Sequence, residues 1–192
     1  MIRFLIVLFA VIVIASSAKA VDNTILVDQI GDGTSITIEQ NGSGNTAAVK
    51  MGAVSNVDYT AVYISQQGNG KLAKVEIPSG INNTANIQQD GTGNHIANIQ
   101  NLNGSGNNIT IGQSGSGNHT LNVAGDPGTT NNGNTVNATQ TGSANKSFDL
   151  TFSGATGANV SITQTNPTQS NAGAMSITCT TGSCGSYSYT RQ

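Results

Sequence analysis

The chain is short of most of what a conventional domain is built from. Only 8% of its 192 residues are charged and 4% aromatic, tryptophan is missing, and there are three prolines and two cysteines. Ordinary domains carry about 25% charged residues. The sparse, unclustered Lys and Arg exclude a nucleic-acid surface, which needs grouped basic residues. The acidic residues are scattered singly and form no nucleophile, base and acid constellation, so the chain is not read as an enzyme, and no cofactor or small-molecule substrate is expected. A polysaccharide-cleaving β-helix enzyme would also need a charged cleft. After residue 20 no apolar run is long enough to span a membrane.

The first twenty residues stand apart. Arg3, the apolar run from Phe4 to Ala15 and the small-residue end Ala18, Lys19, Ala20 make a Sec-type signal peptide over 1–20. The run is shorter than the ~20 residues of a spanning helix. The mature chain is then expected to begin at Val21, outside the cytoplasm. Losing Arg3 and Lys19 leaves five basic against nine acidic residues, a net charge of −4.

Glycine and asparagine are abundant instead, 24 of each. That composition alone would suggest a disordered polar tract, but its order argues otherwise. A phrase of two small apolar residues at alternate positions, followed by a glutamine, occurs seven times: Ile25, Val27, Gln29; Ile36, Ile38, Gln40; Val62, Ile64, Gln66; Ala85, Ile87, Gln89; Ile109, Ile111, Gln113; Val136, Ala138, Gln140; and Val160, Ile162, Gln164. Period-two alternation marks a β-strand. The glutamines are 11, 26, 23, 24, 27 and 24 residues apart, a spacing typical of solenoids, propellers or arrays.

Glycine follows two residues after the glutamine, at Gly31 and then at the turn glycines Gly42, Gly68, Gly91, Gly115 and Gly142; Asn166 takes that place after Gln164. Asn45, Asn94, Asn118 and Asn145 close the same turns. Gly and Asn tolerate positive φ, so the chain reverses there at least cost. A second short strand follows, as in Ala47 to Met51, Leu72 to Ile77, Ile96 to Gln100 or Met175 to Cys179.

The expected fold is all-β, a two-walled β-solenoid of about six strand-turn-strand coils with half-coil ends. An N-terminal half coil fills 21–34, with Ile25 to Gln29 as a lone second-wall strand, and the repeats run over 35–179. A C-terminal cap at 180–192 includes Tyr187, Tyr189 and Arg191 as a terminal half coil of unassigned register. Cys179 and Cys184 are candidates for a small disulfide closing a terminal loop, as suits an exported chain. In the second wall Phe148 and Leu150 fall on the other parity from Ser147 and Asp149, leaving inside and outside unassigned.

A glutamine buried alone costs a few kcal/mol if its amide is unpaired. In a stack each amide donates to one neighbour and accepts from the other, as in cross-β ladders. Gln29, Gln40, Gln66, Gln89, Gln113, Gln140 and Gln164, with Asn45, Asn94, Asn118 and Asn145, are therefore the expected assembly ladders. One coil buries too few Val, Ile and Ala to stand alone, so stability belongs to the array. The N-terminal edge strand Ile25 Leu26 Val27 carries only Asp28 to blunt its edge, and non-closing head-to-tail contacts give filaments.

The rows resemble the curlin repeats of bacterial curli fimbriae, best at Ala85 Asn86 Ile87 Gln88 Gln89 Asp90 Gly91 Thr92 Gly93 Asn94 His95 Ile96 Ala97 Asn98 Ile99 Gln100, where Gln100 takes the second-glutamine place. The resemblance runs in part from about Ser35 to Cys179. It implies a secreted subunit that assembles with itself into extracellular amyloid fibres for biofilm and adhesion, with a companion nucleator subunit and an outer-membrane secretion machinery as partners. The chain departs from the pattern at Met51, Ile77 and Ala124 in the second-glutamine place, at Lys71 in the turn after Gln66, and at Asn166 and Pro167 in the last turn. Only Val21 to Thr24 precede the first strand, without the long Gly-rich leader of typical major subunits.

Other readings stay open. A monomeric surface-displayed adhesin, or a glycan-binding solenoid, uses the same fold. Ice binding wants a constant Thr-x-Thr outer face, whereas the outer pairs here vary, as in Thr37 with Glu39 and Tyr63 with Ser65. His95 and His119 hold equivalent places in consecutive coils and are expected as solvated, stacked residues; two ligands rarely suffice for a metal. The Asn-x-Ser/Thr sequons, as at Asn108 and Asn118, arise by chance in such a composition.

Overall fold

The computed structural model describes residues 12–13, 22–29, 34–51, 59–78, 81–100, 102–126, 128–179 and 183–192. Most of the expected signal peptide, Val21, Gly31, much of the return loop after Met51, and Thr180 to Gly182 lie outside them. Among the described residues fifteen strands occur: β1 (Ile12–Val13), β2 (Thr24–Gln29), β3 (Ser35–Asn41), β4 (Thr46–Met51), β5 (Ala61–Gln67), β6 (Leu72–Ile77), β7 (Thr84–Asp90), β8 (Ile96–Ile99), β9 (Asn108–Ser114), β10 (His119–Gly125), β11 (Thr135–Thr141), β12 (Lys146–Ser153), β13 (Asn159–Gln164), β14 (Asn171–Thr178) and β15 (Ser186–Arg191).

Odd strands form one sheet and even strands the other, in the orders β1-β3-β5-β7-β9-β11-β13-β15 and β2-β4-β6-β8-β10-β12-β14. Every pairing joins a strand to the one two places on, in parallel. The protein is a β-solenoid with two walls, an odd wall and an even wall. The lone second-wall strand is β2, which pairs with β4 from Thr24 on Thr46 to Gln29 on Met51. At the other end β15 extends the odd wall, with Tyr187 on Val160, Tyr189 on Ile162 and Arg191 on Gln164. The segment expected as a cap therefore continues the stack.

Alternation decides what the walls bury. In the odd wall Ile36 and Ile38, Val62 and Ile64, Ala85 and Ile87, Ile109 and Ile111, Val136 and Ala138, and Val160 and Ile162 all point inward. They meet even-wall rows such as Ala47, Val49 and Met51, so the core is one continuous apolar column. Each coil adds a thin slice to it; only the inward faces of the two walls are buried, unlike the doubly covered parallel sheets of α/β folds.

The even wall assigns a parity that the sequence left open and corrects two expectations. In β12 Phe148, Leu150 and Phe152 face inward, because Phe148 pairs with Leu121 and Leu150 with Val123. The last even strand begins at Asn171, four residues before the expected Met175, since Met175 pairs with Leu150 in mid-strand. Gln100 is not equivalent to Met51 and Ile77: Leu72 on Ile96 sets Glu76 beside Gln100, on the outward parity, and Gln100 is exposed. By the same register Ala124 lies on Thr151, outward of the core.

Phe148 is larger than any neighbour in its row, and the next coil gives way to it. A side chain on Gly173 would stand 2.7 Å from the Phe148 ring and 2.8 Å from Tyr189. Tyr189 packs on Phe148 at 4.7 Å between ring centroids, a tilted contact that seals the last coil. The disulfide Cys179–Cys184, with Cα atoms 5.9 Å apart, ties the end of β14 to the approach to β15.

Candidate functional site: polar ladders and open sheet edges

The glutamines of β3, β5, β7, β9, β11 and β13 share one inward-facing register position. Their amides form an unbroken directional chain. Nε2 of Gln40 donates to Oε1 of Gln66 at 2.8 Å, Gln66 to Gln89 at 2.9 Å, Gln89 to Gln113 at 2.9 Å, Gln113 to Gln140 at 2.8 Å and Gln140 to Gln164 at 2.7 Å. The second N–H of each Nε2 donates across the core to a backbone carbonyl of the even wall, from Thr24 for Gln40 to Ser147 for Gln164. Both amide protons are thus used in a nearly dry interior, which is how a polar row is tolerated there. Gln29 stands on the opposite wall, where its backbone pairs with Met51.

Gln164 ends the chain differently. Its Nε2 donates to Asn171 Oδ1 at 2.7 Å rather than to the next coil, where Arg191 holds the register position. Arginine has five N–H donors and no acceptor, so it cannot continue a chain that runs donor to acceptor.

The glycine turns pack as closely as the backbone allows. Gly42, Gly68, Gly91, Gly115 and Gly142 have φ between +95° and +121°. A Cβ on Gly91 would lie 2.4 Å from the Gly115 carbonyl oxygen, so both backbone sign and space demand glycine there. Asn94 N–H donates to Asn118 Oδ1 and Asn118 N–H to Asn145 Oδ1, each at 2.9 Å, along the exposed side of the same rim.

Asn45 is not part of that exposed row. It stands five residues after Gln40, as Lys71 does after Gln66, whereas His95, His119 and Lys146 stand six after theirs. The strand register therefore aligns Asn45, Lys71 and His95, just before β4, β6 and β8, with His119 and Lys146, the first residues of β10 and β12, and all five are buried. The histidines are stacked, as their equivalent places imply, but they are enclosed rather than solvated. Their ring centroids are 4.8 Å apart and the planes 5° from parallel.

This row is electrostatically unusual. Lys71 Nζ donates to the carbonyls of Asn69, Gly91 and Gly93, at 3.3, 2.8 and 2.6 Å, and Lys146 Nζ to those of Ala144 and Gln169, at 3.1 and 2.7 Å. Carbonyl cages of this kind pair an ammonium without a carboxylate. Burial nevertheless holds both lysines below their ordinary range. His95 Nε2 lies 2.7 Å from the Asp90 carbonyl and His119 Nε2 3.0 Å from the Ser114 carbonyl. A carbonyl only accepts, so the proton is on Nε2, and each buried Nδ1 has no partner among the described residues. Burial lowers both imidazole pKa values, that of His95 to about 4, and Lys71 lowers His95 further through its charge. Two neutral rings thus separate two ammonium groups.

The opposite rim carries a second ladder, absent from the expected set. Asn107 N–H donates to Asn83 Oδ1 at 2.9 Å, Asn134 N–H to Asn107 Oδ1 at 3.0 Å and Ala158 N–H to Asn134 Oδ1 at 2.9 Å. Their amide groups donate to the carbonyls of Gly104, Asn131 and Ala155. The signal was available in the spacing: Asn83, Asn107 and Asn134 each precede their glutamine by six residues.

At the ends, β2 and β14 are the edge strands of the even wall, and β15 is the edge strand of the odd wall. Leu26 is 59% exposed and Val27 37% exposed on β2. At the N-terminal end of the odd wall β1 pairs, among the described residues, with Thr37 and Ile38 of β3. Residues 22–50, which comprise β2, β3, the first glycine turn and most of β4, match the family model of the curlin associated repeat. Over that segment the chain is similar to a curlin repeat. No curated protein and no solved structure matches it. The matched curlin segment is the end of the stack that holds Gln40, the first amide of the buried chain, and the later coils keep the same register position for their glutamines. Among the described residues no group of three or more His, Cys, Asp or Glu is placed to hold a metal ion, and no helix is long and apolar enough to cross a membrane.

Proposed function

We propose that this curlin-repeat chain is a structural subunit that adds end to end to further copies of itself, giving extracellular curli-type amyloid fibres for biofilm matrix and surface adhesion. The reading includes export by the signal peptide at 1–20 and, through the family, a nucleating companion and an outer-membrane secretion machinery.

The observation that carries it is the matching of the two ends. The solenoid opens on the even wall with β2 and closes on the odd wall with β15, so apart from β1 each wall holds seven described strands. A following copy would place its β2 on β14 and its β3 on β15 at the same level, with neither gap nor overlap. A chain that began and ended on one wall would leave a half-coil step. Unpaired parallel edges are templates for strand addition, and a heterologous contact that does not close makes a filament.

The test is to incubate the purified chain from Val21 onward at micromolar concentration and follow it by sedimentation and electron microscopy. Unbranched fibres that deplete the soluble pool are expected. Monomers that stay soluble for days would overturn the reading and favour the displayed monomeric adhesin.

A further inference from the structure

The buried amide chain has a direction, and its two ends are chemically different. Every Nε2 donates toward the C-terminal coil, so the row starts at an acceptor and finishes at donors. At the N-terminal end Gln40 Oε1 accepts no hydrogen bond among the described residues, while its Nε2 is committed to Gln66 and the Thr24 carbonyl. At the C-terminal end Arg191 occupies the glutamine register position on β15, exposed, and Gln164 has turned its own amide aside to Asn171. The guanidinium donates to no group among the described residues.

We infer that Arg191 of one copy donates to Gln40 Oε1 of the next, so that an arginine closes the glutamine ladder across the joint and fixes which end meets which. The inference rests on the end-to-end assembly proposed above and names the contact that gives it polarity. Continuing the β13–β15 register by one strand sets Tyr187 on Ile36, Tyr189 on Ile38 and Arg191 on Gln40 of the incoming copy. The same step on the even wall sets Asn171 on Asn23 and Met175 on Val27. Apolar positions meet apolar ones, and a donor-only side chain meets an open acceptor.

The two alternative joints lack this fit. Two C-terminal ends would bring guanidinium groups together, and two N-terminal ends would oppose amide oxygens while reversing the parallel strand direction that the described pairs keep. Like charge and unpaired acceptors at a contact act as repulsive elements against the wrong partner.

The experiment compares four chains from Val21 onward: unaltered, Arg191→Gln, Arg191→Glu, and Arg191→Glu combined with Gln40→Arg. The readout is the concentration of soluble chain left at the end of fibre growth, with far-ultraviolet circular dichroism of the freshly prepared chain as the check on folding. Arg191 is exposed at an edge, so the fold is expected to survive each change there. Arg191→Gln restores an ordinary glutamine step and should leave the residual concentration within about threefold of the unaltered chain. Arg191→Glu sets acceptor against acceptor and should raise it about tenfold or more, the scale of one lost hydrogen bond to a charged group. The double variant presents a carboxylate to a guanidinium and should recover most of the loss; the guanidinium introduced in place of the Gln40 amide still has donors for Gln66. Fibres from all four chains with equal residual concentrations would overturn the Arg191–Gln40 joint and leave end-to-end assembly standing. Failure of the unaltered chain to form fibres would instead remove both.

Discussion

His95 and His119 lie face to face inside the glycine rim, 4.8 Å between centroids, with Lys71 and Lys146 on either side of the pair in the same buried row. Neither ring can take up a proton without placing a third charge between two ammonium groups in a low-dielectric site. Burial first, and the nearby lysine charges after it, hold their folded pKa values below the ~6.5 of a solvated histidine, about 4 for His95.

A depressed histidine pKa stabilises the fold above the unfolded value and loses that stability as pH falls toward the folded one. For His95 the window runs from about pH 6.5 down to about 4, with a loss of up to ~1.4 kcal/mol per pH unit. Urea unfolding at pH 7 and pH 5 should show the drop. His95→Asn with His119→Asn, which copies the Asn45 occupant of the row, should flatten it. An unchanged slope in that variant would show that the stacked pair does not set the acid response.

Lys71 is the clearest case of a buried cation that holds backbone together. Its Nζ satisfies three carbonyls from its own turn and the next. Lys71→Met keeps the apolar stem and leaves those oxygens without their donor, so a loss of about 1–3 kcal/mol is expected in chemical denaturation. Lys71→Asn should lose less, because Asn45 spans the same rim with a bond from Nδ2 to the Gly68 carbonyl at 2.8 Å. Equal losses would argue that only side-chain volume matters at this place.

Gly91 and Gly128 separate two effects of adding a methyl group. Both have positive φ, +95° and +82°, but a Cβ at Gly91 meets the Gly115 carbonyl while one at Gly128 meets nothing within 4 Å. Gly128→Ala should cost about 1 kcal/mol, the conformational part alone. Gly91→Ala must also push two coils apart and should cost several times more, read as a lowered midpoint of thermal unfolding. A similar shift for both would mean that the coil spacing yields easily.

Replacing Gln89 and Gln113 together by Leu removes two adjacent members of the amide chain. Gln66 Nε2 then loses its acceptor and Gln140 Oε1 its donor, both within the core. The expected loss is about 1–3 kcal/mol for each orphaned group, together with slower fibre growth followed by thioflavin T. Unchanged unfolding and growth would remove the ladder from the account of stability.

The sequence carried the odd wall almost completely, because its apolar-x-apolar-x-Gln phrase keeps one spacing and the glutamine has one place to go. It carried the half coil at Ile25 to Gln29 as well, from the short interval to Gln40. The even wall was harder for a countable reason. The turn from glutamine to even strand takes five residues to Asn45 and Lys71, six to His95, His119 and Lys146, and seven to Asn171. Each extra residue inverts the parity relative to the glutamine. Counting from Gly-x-Gly-Asn therefore put Asn45 in line with Asn94, and Gln100 in line with Met51. Phe148 and Leu150 could not be assigned for the same reason. The buried lysines were illegible because a basic side chain in a turn ordinarily reads as solvated, and only the carbonyl cage around Lys71 makes its burial tolerable.

The most direct test of end-to-end stacking is X-ray diffraction from aligned fibres of the chain from Val21 onward. Strands that continue from β14 to β2 and from β15 to β3 lie across the fibre axis, so a sharp meridional reflection at ~4.8 Å and an equatorial one near ~10 Å are predicted. Fibres without the ~4.8 Å meridional reflection, or a chain that yields no fibres, would contradict the account.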